Sequence, residues 1–274
     1  MPVPPQLLDD LIPLALAAGR EIMAVRAAGF DTETKLDGSP VTIADQRAEA
    51  IIEAGLQRLA PHIPMLGEEA VADGRIPDRS ARYFCVDPLD GTRGFAKGGD
   101  EFTVNIALID HGAPVLGVVY APASGELFVG DATRALRARC DIATAEMTGA
   151  LEPIQATPAK PQSGWRVLAS DHSGRSTKTR DFAAKLGASI THSSSSIKFC
   201  RVAEGAADLY PRFGNVSEWD AAAGHAILNA AGGGVVRVDG SPLHYGDNAD
   251  FLIRGFIAYA NDDVLTAARN ALGA

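Results

Sequence analysis

The 274-residue sequence has few cysteines, no excess of basic residues and no long apolar run. Its three cysteines, Cys85, Cys140 and Cys200, are odd in number and widely spaced, which indicates a reducing compartment without a disulfide framework. No apolar segment approaches the ~18–20 residues of a membrane-spanning helix, and residues 1–5 lack the basic flank of a signal peptide. We therefore expect a cytoplasmic protein without an integral membrane segment, and peripheral association with the inner membrane stays open.

Basic residues are outnumbered by acidic ones, 25 to 34, which gives a formal net charge of −9. That balance argues against a nucleic-acid partner. The composition is that of a globular protein with a large core, because 46% of the residues are hydrophobic and 22% are charged. If such an acidic protein acts on an anionic substrate, metal ions and a few basic side chains must reverse the local sign of the charge.

Hydrophobic periodicity divides the chain into two unlike halves. Residues 1–140 predict two amphipathic helices, at 7–27 and about 45–59, followed by a mostly antiparallel sheet. Residues 141–274 alternate short strands with helices, as an α/β lobe does, and the stretch 141–164 is predicted to cross between the halves. The sequence thus predicts an α+β N-terminal lobe followed by an α/β C-terminal lobe.

One stretch, Asp87-Pro88-Leu89-Asp90-Gly91-Thr92, is poorly suited to continue the apolar strand predicted at residues 83–86. Pro88 favours an extended Asp87 and removes a backbone donor. Asp87 and Asp90 then stand across a tight turn, with the Leu89 carbonyl free to point the same way. Such hard oxygen ligands are those that Mg²⁺ prefers. Taken alone, the hexapeptide fits an acidic surface turn equally well.

Two further acidic positions follow, one at a second strand end and one at a helix start. Glu68 follows the short apolar strand predicted at residues 63–66, and Asp220 lies in the first turn of an Ala-rich helix, directly after Trp219. The helix macrodipole alone would account for Asp220, and Asp45 is a plausible N-cap of the second helix. Converging carboxylates would repel by on the order of 4 kcal/mol for each close pair at an effective dielectric constant of about 20. A convergent site therefore needs cations, and the recurrence of acidic strand ends favours such a site.

The order of these motifs resembles that of the Mg²⁺-dependent, lithium-sensitive phosphatases of the inositol monophosphatase superfamily. The motifs are Glu68 in Gly-Glu-Glu, the hexapeptide at residues 87–92, and Trp219-Asp220. Longer stretches also resemble the CysQ branch of that superfamily, which comprises the 3′(2′),5′-bisphosphate nucleotidases. These stretches are residues 101–109, 114–122, 195–200, 203–212 and 218–220. The resemblance extends over almost the whole chain.

The resemblance implies a fold and a metal centre. The fold would be a layered αβαβα sandwich of the sugar-phosphatase type, with most metal ligands in residues 1–140. The C-terminal lobe, residues 141–274, would supply one metal ligand and the nucleotide-binding residues. The cofactor would be two or three Mg²⁺ ions. Their implied ligands are Glu68, Asp87, the Leu89 carbonyl, Asp90 and Asp220.

The resemblance also implies how substrate and water are held. Asp45 with Thr92 would orient and deprotonate the attacking water, and the amides of Gly91 and Thr92 would bind the scissile phosphate. The nucleoside and a second phosphate would be bound by His172, Ser195, Lys198 and Arg212. Without the resemblance, each of these four has an ordinary explanation, as a loop histidine, a helix-cap serine or a surface cation.

The implied reaction removes the 3′-phosphate of 3′-phosphoadenosine 5′-phosphate (PAP), giving AMP and phosphate, as part of sulfur assimilation. Metal-activated water would attack without a phosphoenzyme, and the 5′-phosphosulfate relative of PAP is a further candidate substrate. An inositol or sugar monophosphatase is the first alternative, and a non-catalytic nucleotide sensor is the second. Lys198 and Arg212 discriminate against a monophosphatase, because only a second phosphate needs a second anion site.

Three features leave the details open. Arg254-Gly255 stands where members of the superfamily often have Asn-Pro, near the substrate mouth, so the finer substrate choice is undecided. Asp37 is compatible with contact to an outer metal or with no role. The oligomeric state is also undecided, and a homodimer is one option.

Overall fold

Two mixed sheets, two short strand pairs and eight helices form the regular structure of the described residues. The structure is a computed structural model that describes residues 3–4, 6–35, 38–78, 81–158, 164–170 and 177–273. Asp37 and His172 lie outside the described residues. Within the described part of the chain, no helix combines the length and the apolarity that a membrane span requires.

The helices lie in both halves of the chain. They are α1 (Leu7–Ala28), α2 (Ile43–Leu59), α3 (Glu68–Ala72), α4 (Thr92–Phe95), α5 (Thr177–Leu186), α6 (Ile197–Ala203), α7 (Glu218–Ala230) and α8 (Asp262–Leu272). A hairpin of β1 (Thr32–Thr34) and β2 (Pro40–Thr42) precedes α2, where the sequence predicted only a loop. Strands of three residues are too short for hydrophobic alternation to reveal them.

The first sheet has seven strands among the described residues, and they are adjacent in chain order. They are β3 (Met65–Gly67), β4 (Arg82–Asp90), β5 (Thr103–Asp110), β6 (Ala113–Ala121), β7 (Glu126–Asp131), β8 (Ala135–Arg139) and β9 (Glu152–Pro153). Apart from the parallel pair β3–β4, every pairing is antiparallel, as the sequence predicted. Because β9 joins this sheet, the sheet continues past residue 140, and the proposed division at residues 140/141 stays a prediction.

The second sheet combines parallel and antiparallel pairs. Its strands, in spatial order, are β11 (Ser189–His192), β10 (Arg166–Ala169), β12 (Leu209–Arg212), β16 (Phe256–Tyr259) and β14 (Gly234–Arg237). β10 runs parallel to β11 and β12, and β16 runs antiparallel to both of its neighbours. The remaining strands, β13 (Val216–Ser217) and β15 (Leu252–Ile253), pair with each other just before α7.

Strand β4 is buried on both faces, which explains its unbroken apolar run. Phe84 and Val86 belong to the apolar cluster of α1 and α2, whereas Tyr83 and Cys85 belong to the cluster of α7 and the second sheet. Helices α5 and α8 pack against that second sheet as well. The layers therefore alternate between helices and sheets, which agrees with the predicted sandwich.

Helix α7 lies unusually close to the first sheet. A Cβ atom at Gly117 of β6 would meet the Ala223 carbonyl oxygen at 2.2 Å, so only glycine permits this approach. The Ala-rich face of α7, which includes Ala222 and Ala223, is buried against the sheet. This packing fixes the start of α7, and with it Asp220, beside the end of β4.

Candidate active site

Three carboxylates from the two halves of the chain meet in one place. Ligand oxygens of Asp87, Asp90 and Asp220 all lie within 4.8 Å of one another. Asp87 and Asp90 stand at the end of β4, and Asp220 stands in the first turn of α7. The sequence prediction that distant carboxylates converge is confirmed for these three residues.

A β-bulge explains how both β4 carboxylates reach the same side. Three residues apart in a regular strand, they would point to opposite faces of the sheet. Instead, Asp87 pairs with Asn105 and Asp90 pairs with Thr103, so β4 contains one residue more than β5 over this span. Pro88, which cannot donate a ladder hydrogen bond, lies inside the bulge. The bulge thus converts a strand end into a pair of aligned ligands.

Each of the three carboxylates is anchored by one backbone N–H group. Asp87 Oδ1 accepts from Leu89 N at 2.9 Å, and Asp220 Oδ2 accepts from Ser217 N at 2.9 Å. Asp90 Oδ2 accepts from Ser196 N, just before α6, at 2.5 Å. One oxygen of each carboxylate is therefore fixed by the main chain, which orients the side chain towards the cluster.

The electrostatics of the cluster favour a bound cation. Burial, followed by repulsion from Glu68, Asp90 and Asp220, raises the pKa of Asp87 well above its usual value. Burial, followed by repulsion from Asp90 and Glu68, raises the pKa of Asp220 to about 8. Burial also raises the pKa of Asp90, although Lys198 opposes this. Carboxylates this close need protons or cations, and Mg²⁺ suits an all-oxygen site.

Glu68 lies next to this cluster but is engaged by Lys35. Lys35 Nζ donates to Glu68 Oε1 at 2.7 Å and to Glu69 Oε1 at 2.7 Å. Burial raises the pKa of Glu68, the Lys35 ion pair opposes this, and nearby Asp45 and Asp90 raise it further. The role of Glu68 as a metal ligand stays a prediction, as does that of the Leu89 carbonyl.

Asp45 and Thr92 form the hydrogen bond that their predicted pairing requires. Thr92 Oγ1 lies 2.8 Å from Asp45 Oδ1 and 2.9 Å from the Leu89 carbonyl oxygen. Asp45 Oδ2 accepts from the backbone N and the hydroxyl of Thr42, at 2.8 and 2.7 Å. Burial raises the pKa of Asp45 despite these hydrogen bonds.

The prediction that Asp45 caps α2 was wrong by three positions. Thr42 is the N-cap, and Asp45 is the third residue of the helix in a capping box with it. Because Asp45 Oδ2 serves the capping box, Oδ1 is directed at Thr92. The same local motif therefore starts the helix and orients the carboxylate.

Gly91 permits the turn that starts α4. Its φ of +100° is in the left-handed region, and a Cβ atom there would meet the Glu101 carbonyl oxygen at 2.8 Å. Thr92 follows as the first residue of α4. The roles of the Gly91 and Thr92 amides in phosphate binding stay predictions.

A cationic group of buried Lys198 and half-buried Arg212 lies beside the acidic cluster. Burial lowers the pKa of Lys198 to about 8, and Asp90 opposes that shift. The Lys198 ammonium donates to the Ser195 carbonyl and lies 4.9 Å from the centre of the Tyr210 ring. Arg212 donates to Ser170 Oγ at 3.4 Å and to the Asn215 carbonyl at 3.1 Å. The structure thus brings together three of the four residues predicted to bind nucleotide.

Two polar atoms of this group have no hydrogen-bond partner among the described residues. They are Arg212 Nε and Ser195 Oγ, and both are buried. Ser195 also has a φ of +53°, an uncommon conformation for a non-glycine residue that is found at ligand sites. Buried donors without partners are costly unless a ligand satisfies them.

The unusual Arg254-Gly255 step packs behind this cationic group. Gly255 has a φ of +98°, and a Cβ atom there would meet the Arg212 carbonyl oxygen at 2.7 Å. Arg254 is exposed and pairs with Asp250. A side chain at residue 255 would therefore clash with the strand that carries Arg212.

Sequence reasoning missed the hydroxyl and amide groups that join the two halves. Ser196 Oγ donates to Asn105 Oδ1 at 2.6 Å and accepts from Thr103 Oγ1 at 2.8 Å. It also missed Glu218, which accepts from Tyr83 OH at 3.0 Å. These contacts join residues about a hundred positions apart in the chain, so no local spacing could reveal them.

Comparison with known proteins relates this chain to one protein family. The family model described as inositol monophosphatase family matches residues 6–273. The 3′(2′),5′-bisphosphate nucleotidase CysQ of Escherichia coli K12 is 42% identical over 253 residues, which cover 91% of this chain and 98% of that protein. Its counterpart from Buchnera aphidicola is 37% identical, over 93% of this chain and 94% of that protein.

Solved structures show the same relationship. CysQ from Bacteroides thetaiotaomicron has a TM-score of 0.76 and 36% identity, covering 93% of this chain and 97% of that chain. An inositol monophosphatase from Anabaena has a TM-score of 0.75 and 27% identity, covering 98% of this chain and 95% of that chain. With the family model matching nearly its whole length, this chain belongs to the inositol monophosphatase family.

Proposed function

We propose that this protein is a Mg²⁺-dependent 3′(2′),5′-bisphosphate nucleotidase that converts PAP to AMP and phosphate. The observation that carries the proposal is the cationic group beside the acidic cluster, which combines buried Lys198 with half-buried Ser195 and Arg212. One substrate with two phosphates can satisfy both features at once. The names of relatives that are 37–42% identical over more than nine-tenths of this chain support the same activity.

The donor set fits Mg²⁺. Asp87, Asp90 and Asp220 offer converging carboxylate oxygens, and Glu68 with the Leu89 carbonyl would complete a site for two or three ions. When bound, Mg²⁺ lowers the pKa of a coordinated water and offsets the charge on the leaving oxygen. The residues of the chain align the ligands, and the anchoring N–H groups keep the carboxylates from turning away.

Asp45 and Thr92 handle the proton of the attacking water. A Thr92 hydroxyl that donates to Asp45 keeps its own lone pairs for a water, so the pair orients that water and takes up its proton. Burial raises the pKa of Asp45, which makes its carboxylate a stronger proton acceptor than an ordinary exposed one. The pair performs the task of a general base, so the proposed reaction uses no serine, cysteine or histidine nucleophile.

Lys198, Arg212 and Ser195 hold the 5′-phosphate. The fork of Arg212 has a buried Nε without a partner in the described part of the chain, and guanidinium groups bind phosphate through such paired donors. Phosphate binding would also favour the charged form of Lys198, whose pKa burial lowers. His172, outside the described residues, stays a predicted contact to the nucleoside.

Phosphate release from a substrate panel tests this function. The panel contains PAP, its 5′-phosphosulfate relative, inositol monophosphates and fructose bisphosphate, each with and without Mg²⁺ and Li⁺. We expect rapid release from PAP only with Mg²⁺, and inhibition by Li⁺. Faster release from an inositol monophosphate would identify a monophosphatase instead, and no release from any substrate would favour the non-catalytic sensor. Cytoplasmic location and a homodimer stay predictions.

A further inference from the structure

A buried carboxylate outside the predicted ligand set controls the backbone beside Glu68. Glu49 of α2 is only 2% exposed. Its Oε2 accepts from Glu69 N at 2.9 Å, and its Oε1 accepts from Ala70 N at 2.7 Å. Both donors belong to the first turn of α3. The Glu49 side chain therefore performs, from another helix, the capping that a residue before α3 would normally perform.

Helix α3 has no cap of its own. Its N-cap residue is Gly67, and no side chain before the helix accepts one of its N–H groups. The helix has five residues, far fewer than a helix needs to be stable alone. Its position, and that of Glu68 at its first residue, therefore depends on contacts from outside the helix.

Gly67 leaves the space that Glu49 occupies. A Cβ atom at residue 67 would lie 2.6 Å from Glu49 Oε2 and 2.8 Å from Glu49 Cδ. A side chain at residue 67 would therefore displace the carboxylate that accepts the two hydrogen bonds. The Gly-Glu-Glu motif thus contains both the proposed ligand, Glu68, and the glycine whose missing side chain leaves room for the Glu49 carboxylate.

Helix α2 connects this support with the water-orienting pair. Glu49 follows Asp45 by four residues, so both side chains project from the same face of α2. Asp45 contacts Thr92, and Glu49 contacts the first turn of α3. One rigid helix therefore sets the distance between the proposed proton acceptor and the proposed ligand Glu68.

We propose that Glu49 is a positioning residue that holds Glu68 in place for divalent-cation binding. The proposal rests on the proposed metal centre and extends it to a residue that contacts no metal. Both Glu49 oxygens are engaged by backbone N–H groups, and the nearest Arg75 nitrogen is 3.9 Å away. Glu49 acts through Glu68.

Direct cation binding to Glu49→Gln tests the proposal. The amide keeps one acceptor and loses the other, so α3 and Glu68 should be held less firmly. Removing such a supporting group typically weakens metal binding about 10–100-fold. We expect that loss for Mn²⁺, titrated into the full chain and followed by the electron paramagnetic resonance of the free ion. The Mg²⁺ concentration for half-maximal activity should rise similarly, with kcat largely restored at saturating Mg²⁺.

The matched control is Glu53→Gln, one turn further along the same helix. Glu53 is 47% exposed and pairs only loosely with Arg75, so its substitution should leave Mn²⁺ affinity unchanged. Gly67→Ala is a second variant, in which the added methyl group would displace the Glu49 carboxylate. It should reproduce the loss of affinity, and it serves if Glu49→Gln does not fold.

The outcomes separate the two proposals. Wild-type Mn²⁺ affinity in both Glu49→Gln and Gly67→Ala would overturn the positioning role and leave the nucleotidase intact. A fall in kcat that saturating Mg²⁺ does not restore would also contradict it. A wild-type protein that binds no Mn²⁺ would overturn the proposed metal centre and the role of Glu49 with it.

Discussion

At the scale of single residues, the Thr92 hydroxyl has a task that its methyl group cannot perform. Thr92→Val preserves the shape of the side chain and removes the hydrogen bond to Asp45. Since positioned proton transfer contributes about 10²–10⁴-fold to rate, we expect kcat to fall within that range. Mn²⁺ affinity should change little, because Thr92 is not a predicted ligand. Thr92→Ser is the control and should keep most of the activity; equal losses in both variants would contradict the assignment.

The raised pKa of Asp220 should make the stability of the metal-free protein depend on pH. Its pKa in the folded protein is about 8, above the ~3.9 expected when unfolded. Between those values the folded state binds more protons than the unfolded state, so stability falls as pH rises. In EDTA, thermal denaturation should give a Tm lower at pH 8 than at pH 5 by about 3 °C or more, the shift that ~1 kcal/mol produces in a protein of this size.

Two comparisons test the origin of this decrease in Tm between pH 5 and pH 8. Saturating Mg²⁺ should make the decrease smaller, because the cation replaces the protons that relieve the repulsion. Asp220→Asn should reduce it as well, since one of the titrating carboxyls is gone. A decrease that is unchanged in Asp220→Asn would show that other groups cause it.

At the scale of elements, the close packing of α7 on β6 places Asp220. Gly117→Ala would put a methyl group 2.2 Å from the Ala223 carbonyl oxygen, so α7 must shift. Overpacking of this kind typically costs about 1–3 kcal/mol, and we expect that loss in urea denaturation together with weaker Mn²⁺ binding. Gly149→Ala is the control, because nothing lies within 4 Å of its Cβ position. Equal stability of the two variants would refute this account.

Sequence reasoning predicted the elements better than their junctions. The apolar run at residues 83–86 correctly indicated a buried strand, and the acidic residues after it correctly indicated a cluster. The bulge that aligns Asp87 with Asp90 could not be predicted, because it depends on pairing with β5. Glu49 did leave a signal, four residues after Asp45, but a glutamate on a helix is ordinarily solvated and so passes unnoticed.

At the scale of the whole molecule, Ser196 joins the two halves beside the acidic cluster. Its hydroxyl contacts Asn105 and Thr103, and its N–H group anchors Asp90. These contacts join residues more than ninety positions apart, so no local sequence motif could indicate them. The charge balance likewise predicted an acidic protein that needs cations, but only the fold shows Lys198 and Arg212 next to the carboxylates.

Ser196→Ala should weaken this junction. Asn105 and Thr103 would each lose a buried partner, and unsatisfied buried groups cost about 1–3 kcal/mol. We expect a corresponding loss in urea denaturation, and a higher KM for PAP because Ser195 and Lys198 are adjacent. Ser189→Ala, at an exposed position of β11, is the control. A Ser196→Ala protein with wild-type stability and KM would show that the junction does not depend on this hydroxyl.

The central claim is that the acidic cluster binds one phosphate of the substrate and the cationic group binds the other. The most direct test compares PAP with adenosine 3′-monophosphate in wild type and Arg212→Ala. These substrates differ only in the 5′-phosphate that Arg212 is proposed to bind. A lost hydrogen bond to a charged group costs about 1.5–3 kcal/mol, so kcat/KM for PAP should fall at least ~10-fold. For the monophosphate it should remain close to wild type, and Arg180→Ala, an exposed arginine of α5, should alter neither. Equal losses on both substrates would contradict a second anion site and the nucleotidase assignment.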